Sequence, residues 1–172
     1  MVIKEIVEID QIPSVDQIAD VPIEDVPKVY NVCLQMEAIC DLSNGIGLSA
    51  VQVGVPWKLF IIKSDGSNPL VPKNEYGYFA NCNYEEATDS ERIVSVEGCL
   101  SIRSQDGQLR FFQVERSKQI RIYGYKFNKD KMCFEEVDQK LGAVEQGVVF
   151  QHEIDHHRGS LISDIGKEIF IW

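Results

Sequence analysis

The feature that most constrains the fold is a pair of histidines, His152 and His156, which lie four residues apart just after an apolar run. On an α-helix, positions i and i+4 lie on one face, so both imidazoles can reach the same ion. The segment 141–157 has the apolar middle Val148-Val-Phe150. Because this middle is apolar around much of a helix circumference, it predicts a helix buried between sheets.

Glu153 lies inside the same motif and gives it a chemical use. A bound divalent cation lowers the pKa of water toward neutrality. A carboxylate beside the ion can then take the proton and later deliver it to a leaving amine. The motif predicts a metal-dependent hydrolase with Glu153 as catalytic acid/base. His157 projects about 100° around the helix from His156, and we expect it on the surface.

Two imidazoles do not complete such a site, since a third protein ligand is needed. The longer metalloprotease pattern H-E-x-x-H-x-x-G-x-x-H is matched through Gly159 but has Ile162 at its last position. Glu168 lies in a different local pattern. The third ligand is therefore expected upstream, where a cysteine is available. The 5 cysteines form no C-x-x-C pair, which favours free thiols and a reducing compartment.

The remaining sequence predicts one α+β domain over residues 1–172. Apolar residues spaced by three and four predict a first helix over 22–40. Strand candidates follow without helical patterns between them, which favours antiparallel or mixed sheets packed around the central C-terminal helix. They lie at 58–63, 76–81, 92–96, 109–114, 119–127 and 132–137, with a candidate edge strand at 169–172.

Charge and hydropathy exclude several classes of function. The net charge of −10 argues against a nucleic-acid binder, because phosphate contacts need clustered Lys and Arg. No apolar run is long enough to span a membrane. The first ten residues lack the apolar core of a secretory signal and carry acidic residues, so we expect a cytoplasmic protein.

Three segments in this order resemble the peptide deformylase family. They are Gly45-Ile-Gly-Leu-Ser-Ala-Val-Gln-Val-Gly54, Glu97-Gly-Cys-Leu-Ser101 and Gln151-His-Glu-Ile-Asp-His156. The resemblance covers nearly the whole chain. It implies a hydrolase that removes the N-terminal formyl group from the formyl-methionine of newly synthesised peptides, using water activated by a metal ion. N-formylmethionyl peptides would be the partners, and the ribosome exit region is a further candidate.

The resemblance also implies a role for individual residues. Cys99 would be the third ligand, beside His152 and His156, to one Fe²⁺ per chain, with Zn²⁺ or Ni²⁺ as substitutes. Glu153 would again be the acid/base. The other implied site residues are Gln52 (side-chain amide) and Leu100 (backbone N–H) for the developing oxyanion, Ile46 and Gly47 bordering the peptide, and Glu97 at the substrate side, paired with Arg116.

Some positions depart from the family pattern, and they concern the substrate pocket. Ser49 stands where the family usually has alanine, and its hydroxyl is expected to need a local hydrogen-bond partner. Arg103 replaces a common proline, Asn81-Cys82 replaces a usual Asn-Pro, and the segment 104–113 is longer than usual. Arg110 within that segment is a candidate to face the substrate.

Two other functions remain open from the sequence. The first is a zincin-type metalloendopeptidase that shares only the His-Glu-x-x-His helix, and cleavage of an internal peptide bond would support it. The second is a non-catalytic metal-bound module, which a four-coordinate metal with no open position would support. The missing downstream ligand argues against the first, and the presence of Gln52, Cys99 and Glu153 argues against the second.

Overall fold

Two antiparallel sheets surround the C-terminal helix in the computed structural model, which describes residues 3 and 5–170. The five-stranded sheet has the order β1 (Gly47–Ser49), β2 (Leu59–Lys63), β3 (Tyr76–Glu86), β6 (Gln119–Asn128), β7 (Cys133–Gly142). The three-stranded sheet has the order β4 (Arg92–Arg103), β5 (Leu109–Ser117), β8 (Lys167–Ile169). The helices are α1 (Val26–Leu42), α2 (Gly147–Arg158) and α3 (Ile162–Ile165). This confirms the predicted α+β class.

Helix α1 buries the face that its apolar spacing predicted. Val29, Cys33, Met36 and Cys40 are buried against β2 and β3. The helix begins at Val26 rather than at 22, because Pro27 occupies its first turn, where a missing N–H costs nothing. The chain leaves the helix through Asn44, which has φ 53°.

Helix α2 lies against the aromatic core of the five-stranded sheet. The Phe150 ring contacts the rings of Phe79 and Phe60, with centroids 4.8 Å and 5.7 Å away. The helix begins at Gly147, six residues later than predicted, because 141–142 belong to β7. Gly147 packs so closely that a Cβ there would lie 2.6 Å from the carbonyl oxygen of Gly142.

Several strands extend beyond their predicted ends, including β3 to Glu86, β5 to Ser117 and β7 to Gly142. Strand β4 was predicted to end at 96 but continues to Arg103, with an irregular register after Gly98. The polar segment 97–101 therefore belongs to a strand. An edge strand near the C-terminal end is present as β8, which pairs with β5, but of the predicted 169–172 only residue 169 belongs to it. It begins at Lys167, and residues 171–172 lie outside the described residues.

Candidate metal centre

Helix α2 and strand β4 bring three ligand-type side chains together. The ligand atoms of Cys99, His152 and His156 all lie within 4.8 Å of one another. The Cys99 Sγ is 3.5 Å from His156 Nε2. Cys99 and His156 are buried, and His152 keeps 11% of its side chain exposed. The sequence prediction that both imidazoles share one helix face is confirmed.

The donor set fits a divalent transition metal. A thiolate with two imidazoles is a common ligand combination for such ions. Glu153 adds a buried carboxylate whose Oε2 has no hydrogen-bond partner among the described residues. Ile162, at the last position of the metalloprotease pattern, packs in an apolar cluster with Cys99. Cys99, which lies upstream in β4, therefore provides the third ligand-type side chain, which the sequence downstream of His156 lacks.

A buried ion-pair network orients His152. Its Nδ1 lies 2.9 Å from Glu97 Oε2, and this contact leaves Nε2 as the ligand atom on the other side of the ring. Arg116 forms two hydrogen bonds to Glu97, each of 2.8 Å. Burial disfavours the charge of Glu97, but the hydrogen bonds from Arg116 and His152 outweigh it and hold its pKa at about 2. Glu97 is thus an anion fully engaged by protein partners.

Asp155 on α2 ties the helix to both sheets. Arg116 on β5 also donates from Nη1 to Asp155 Oδ2 over 2.5 Å. The hydroxyl of Tyr84 on β3 donates to Asp155 Oδ1 over 3.0 Å. Sequence reasoning missed Asp155 and Tyr84 as members of this network. A signal for Asp155 was present, since it lies three residues after His152 on a neighbouring part of the helix surface.

Gln52 lies beside the cysteine, in a short 3₁₀ helix that follows β1. Its Oε1 accepts the backbone N–H of Ser49 over 2.9 Å. Its Nε2 lies 3.3 Å from both Cys99 Sγ and Ser101 Oγ. The amide N–H groups of Gln52 therefore face the candidate ligand Cys99, and Leu100 follows Cys99 directly in β4.

A cleft of about 440 Å³ opens onto this group. The edge strands β1 and β4 contribute to its walls. Ile46 is 60% exposed at its rim, and a Cβ on Gly47 would lie 2.5 Å from Glu153 Oε1. Glycine at 47 is therefore what lets the backbone approach the carboxylate. The apolar lining consists of Ile46, Val96, Leu100, Leu109, Phe111, Val148 and Val149.

Glu153 has the electrostatics of a proton carrier. Burial raises the pKa of Glu153 to about 7, although the nearby His152 acts in the opposite direction. A carboxyl group with such a pKa exchanges its proton readily near neutrality.

The prediction that His157 lies on the surface is wrong. Its side chain is buried, with Nε2 2.9 Å from Ser49 Oγ and 3.3 Å from the carbonyl oxygen of Leu59. The reason is that the last turn of α2 packs against β1 and β2, so more than one helix face is covered. Burial lowers the pKa of His157 to about 4, which makes it neutral. The expected partner for the Ser49 hydroxyl is thereby confirmed.

The longer segment after β4 forms a hairpin to β5. Arg103 donates to the carbonyl oxygens of Leu100 and Gly107 over 3.2 Å and 2.9 Å. Arg110 makes two 2.7 Å hydrogen bonds to Glu168 on β8. Arg110 is thus held by the edge strand rather than lining the cleft beside Glu153. No helix among the described residues is long and apolar enough to cross a bilayer.

Comparisons with known proteins show the family to which this chain is similar. The family model for polypeptide deformylases matches residues 3–169. A peptide deformylase from Bartonella tribocorum is 34% identical over 128 residues, which are 71% of this chain and 61% of that protein. One from Maricaulis maris is 30% identical over 95% of this chain and 85% of its own length.

The match spans less than two thirds of the length of several curated relatives, between 61% and 64% in three of them. The fold agrees with that of the Met-Ala-Ser-bound class I type b peptide deformylase from Acinetobacter baumannii. That structure has a TM-score of 0.72 and 23% identity, and the alignment covers 95% of this chain and 99% of the other. With the family model matching almost from end to end, the chain belongs to the peptide deformylase family.

Proposed function

We propose that this protein is a metal-dependent peptide deformylase, which hydrolyses the N-terminal formyl group of formyl-methionyl peptides as they are synthesised. The observation that carries the proposal is the grouping of Cys99, His152 and His156, whose ligand atoms lie within 4.8 Å of one another. Glu153 and Gln52 line the same cleft. Residues 1–172 would act as one catalytic domain, in the cytoplasm.

The three ligands would hold one Fe²⁺ per chain, with Zn²⁺ or Ni²⁺ as substitutes. The family resemblance supports iron, and a thiolate–diimidazole set also suits the other two ions. When bound, the ion supplies Lewis acidity and lowers the pKa of water. Glu97 and Arg116 would keep His152 oriented throughout, as partners behind metal-ligating histidines do.

Glu153 would move the proton in both halves of the reaction. As a carboxylate it takes a proton from the attacking water, and as a carboxylic acid it returns that proton to the departing peptide amine. Its burial and its pKa of about 7 make both forms accessible near neutral pH. The close approach of the Gly47 backbone to this carboxylate supports its place at the cleft wall.

Gln52 and Leu100 would stabilise the oxygen of the formyl carbonyl as it gains negative charge. The Gln52 amide already points its N–H groups toward the ligand group, 3.3 Å from Cys99 Sγ. The Leu100 backbone N–H would be the second donor. Donors placed in advance contribute about 3 to 4 kcal/mol each at their best.

The peptide would lie along the edge strands, with Ile46 and Gly47 pairing its backbone as an added strand would. The binding of Met-Ala-Ser by the Acinetobacter baumannii relative supports a peptide ligand for this fold. Glu97 lines the cleft but is engaged by Arg116 and His152, so its role toward substrate would be indirect. Association with the ribosome exit region would place the enzyme near its substrates.

The test is release of formate from a formyl-Met dipeptide, after anaerobic loading with Fe²⁺, Ni²⁺ or Zn²⁺ and with a chelator control. We expect turnover that depends on the metal and stops with chelator. Absence of formate release with every metal would refute the proposal. An unformylated peptide incubated under the same conditions and analysed by mass spectrometry serves as control, since cleavage of its internal bonds would instead indicate an endopeptidase.

A further inference from the structure

We propose that Ser49 and His157 form a buried hydrogen-bonded pair that positions the Gln52 amide for catalysis, an inference that rests on the proposed function. Ser49 Oγ and His157 Nε2 are 2.9 Å apart. Ser49 is fully buried and His157 is 5% exposed. Ser49 ends β1, and His157 follows the ligand His156 in α2. The pair therefore joins two elements of the site.

Ser49 orients the Gln52 amide through its own backbone. The backbone N–H of Ser49 donates to Gln52 Oε1 over 2.9 Å. A flipped amide would place its NH₂ group against this N–H, so that two donors would face each other. The position of the Ser49 backbone therefore decides that Nε2, rather than Oε1, faces Cys99.

His157 in turn holds Ser49 in place. His157 Nε2 also lies 3.3 Å from the carbonyl oxygen of Leu59 on β2, and its ring packs 5.9 Å from that of Phe60. The imidazole thus contacts both β1 and β2 from the last turn of α2. Because Ser49 is opposite Phe60 in the β1–β2 ladder, the pair holds the β1 end against the helix that carries the metal ligands.

The pair is a positioning device rather than a nucleophile and its base. The Ser49 side chain has no exposed surface, so a substrate carbonyl cannot reach its hydroxyl. Removing either partner takes this hydrogen bond away from the other buried side chain, although His157 Nε2 keeps the Leu59 carbonyl oxygen at 3.3 Å. A buried polar group left without a partner costs about 1 to 3 kcal/mol. The two side chains are therefore expected to act as one unit, with non-additive effects when both are changed.

The kinetic test uses Ser49→Ala and His157→Leu, alone and combined. Each single variant should lower kcat about tenfold with KM and metal content unchanged, less than the roughly 100-fold or greater loss from removing an oxyanion donor. The kcat of the double variant should be no lower than the kcat of the less active single variant. In a Gln52→Ala background, neither substitution should lower kcat further. His157→Gln, whose amide nitrogen reaches as far as the imidazole Nε2, should recover most of the loss.

A matched control separates positioning from general loosening. Ser117 is equally buried, and its hydroxyl bonds Ser90 Oγ over 2.7 Å and the carbonyl oxygen of Gln119 over 2.9 Å. Ser117→Ala should lower the free energy of unfolding comparably while leaving kcat unchanged. The inference is overturned if Ser117→Ala lowers kcat as much as Ser49→Ala does. It is also overturned if Ser49→Ala keeps its full effect without Gln52.

A readout independent of turnover is amide hydrogen exchange and side-chain amide NMR on the zinc-loaded protein. His157→Leu should speed exchange of the Ser49 N–H and shift the Gln52 side-chain amide resonances, whereas Ser117→Ala should do neither. Unchanged exchange and resonances in His157→Leu would overturn the inference. If the wild-type protein releases no formate, the proposed function fails, and this measurement still decides whether the pair positions Gln52.

Discussion

At the scale of single residues, Glu153 is the group whose removal should separate chemistry from metal binding. Glu153→Gln keeps the size of the side chain but cannot carry the proton, so kcat should fall about 10²- to 10⁴-fold. Metal content should stay unchanged, because the three ligand atoms belong to other residues. Formate release and elemental analysis on the same preparation measure both quantities.

Cys99→Ala is the counterpart and should lose the metal itself. A Glu153→Gln protein that keeps full turnover would assign proton transfer to another group.

Gly47 makes a second residue-scale prediction, which concerns space. A Cβ at this position would lie 2.5 Å from Glu153 Oε1 and 3.2 Å from Val149 Cγ1, so Gly47→Ala must displace the carboxylate. Because misplacement of a catalytic group by about 1 Å can cost 100-fold, we expect kcat/KM to fall by about 10- to 100-fold. In Gly107→Ala a Cβ meets nothing within 4 Å, and the φ of 84° strains only the backbone of a turn away from Glu153, so this control should keep its activity at some cost in stability. Equal kcat/KM for Gly47→Ala and wild type would show that the carboxylate has room to move.

At this scale the sequence predicted which side chains share one helix face, but it did not predict what surrounds them. The spacing of His152 and His156 identifies a shared face without any tertiary knowledge. The burial of His157 depends on β1 and β2 packing over the same turn, which no local pattern encodes. The Ser49 hydroxyl indicated that a hydrogen-bond partner was needed, but that partner, His157, lies 108 positions away in the sequence.

At the scale of elements, Arg116 joins β5 to β4 through Glu97 and to α2 through Asp155. Arg116→Met should leave two buried carboxylates without their cation and lower the free energy of unfolding by about 3 to 5 kcal/mol. Denaturation in urea, monitored by far-UV circular dichroism, measures this change.

The matched control is Arg121→Met on β6. Arg121 makes the same two-bond contact with Asp138, over 2.7 Å and 2.5 Å, but its side chain is 49% exposed. Solvent weakens such pairs, so the urea midpoint should barely move. Equal destabilisation by the two substitutions would contradict the argument that burial makes Arg116 essential.

The bounds of the helices and strands show how much structural information the apolar periodicity of the sequence carries. The α1 face follows directly from apolar spacing, and its start follows from Pro27. Strand β4 extends past the predicted end because Glu97 and Cys99 point into a polar site, which interrupts the alternation expected for a strand. Helix α2 starts late because its first predicted residues complete β7, and apolar content alone cannot separate those two outcomes.

At the scale of the whole molecule, the site joins segments that are distant in the chain. The first contains Gln52, the second Cys99, and the third the α2 residues His152 and Glu153. Composition and periodicity predicted the α+β class and the helix with the histidines. They did not predict which upstream cysteine reaches the histidines, because that depends on β4 packing against α2. The order of the three segments supplied that assignment through the family resemblance, and the observed Cys99–His156 distance of 3.5 Å agrees with it.

A bound metal ion would make the stability of the folded chain depend on the concentration of free metal. An ion held by Cys99, His152 and His156 would link β4 directly to α2, and it would bind the folded state in preference to the unfolded one. With free metal at 100 times its Kd, the stabilisation is about 2.7 kcal/mol. For a chain of 172 residues, this corresponds to a rise in Tm of roughly 5 to 11 °C.

Differential scanning calorimetry with Zn²⁺ and with excess chelator measures this dependence. Chelator should lower the Tm of the wild-type protein by that amount and leave the Tm of Cys99→Ala unchanged, because that variant has lost one of three ligands. Glu153→Gln should respond to chelator as the wild type does, since its substitution spares the ligand atoms. If the wild-type Tm is the same with chelator as with Zn²⁺, the three side chains hold no ion in the folded chain. The deformylase proposal then lacks the metal ion on which its chemistry depends.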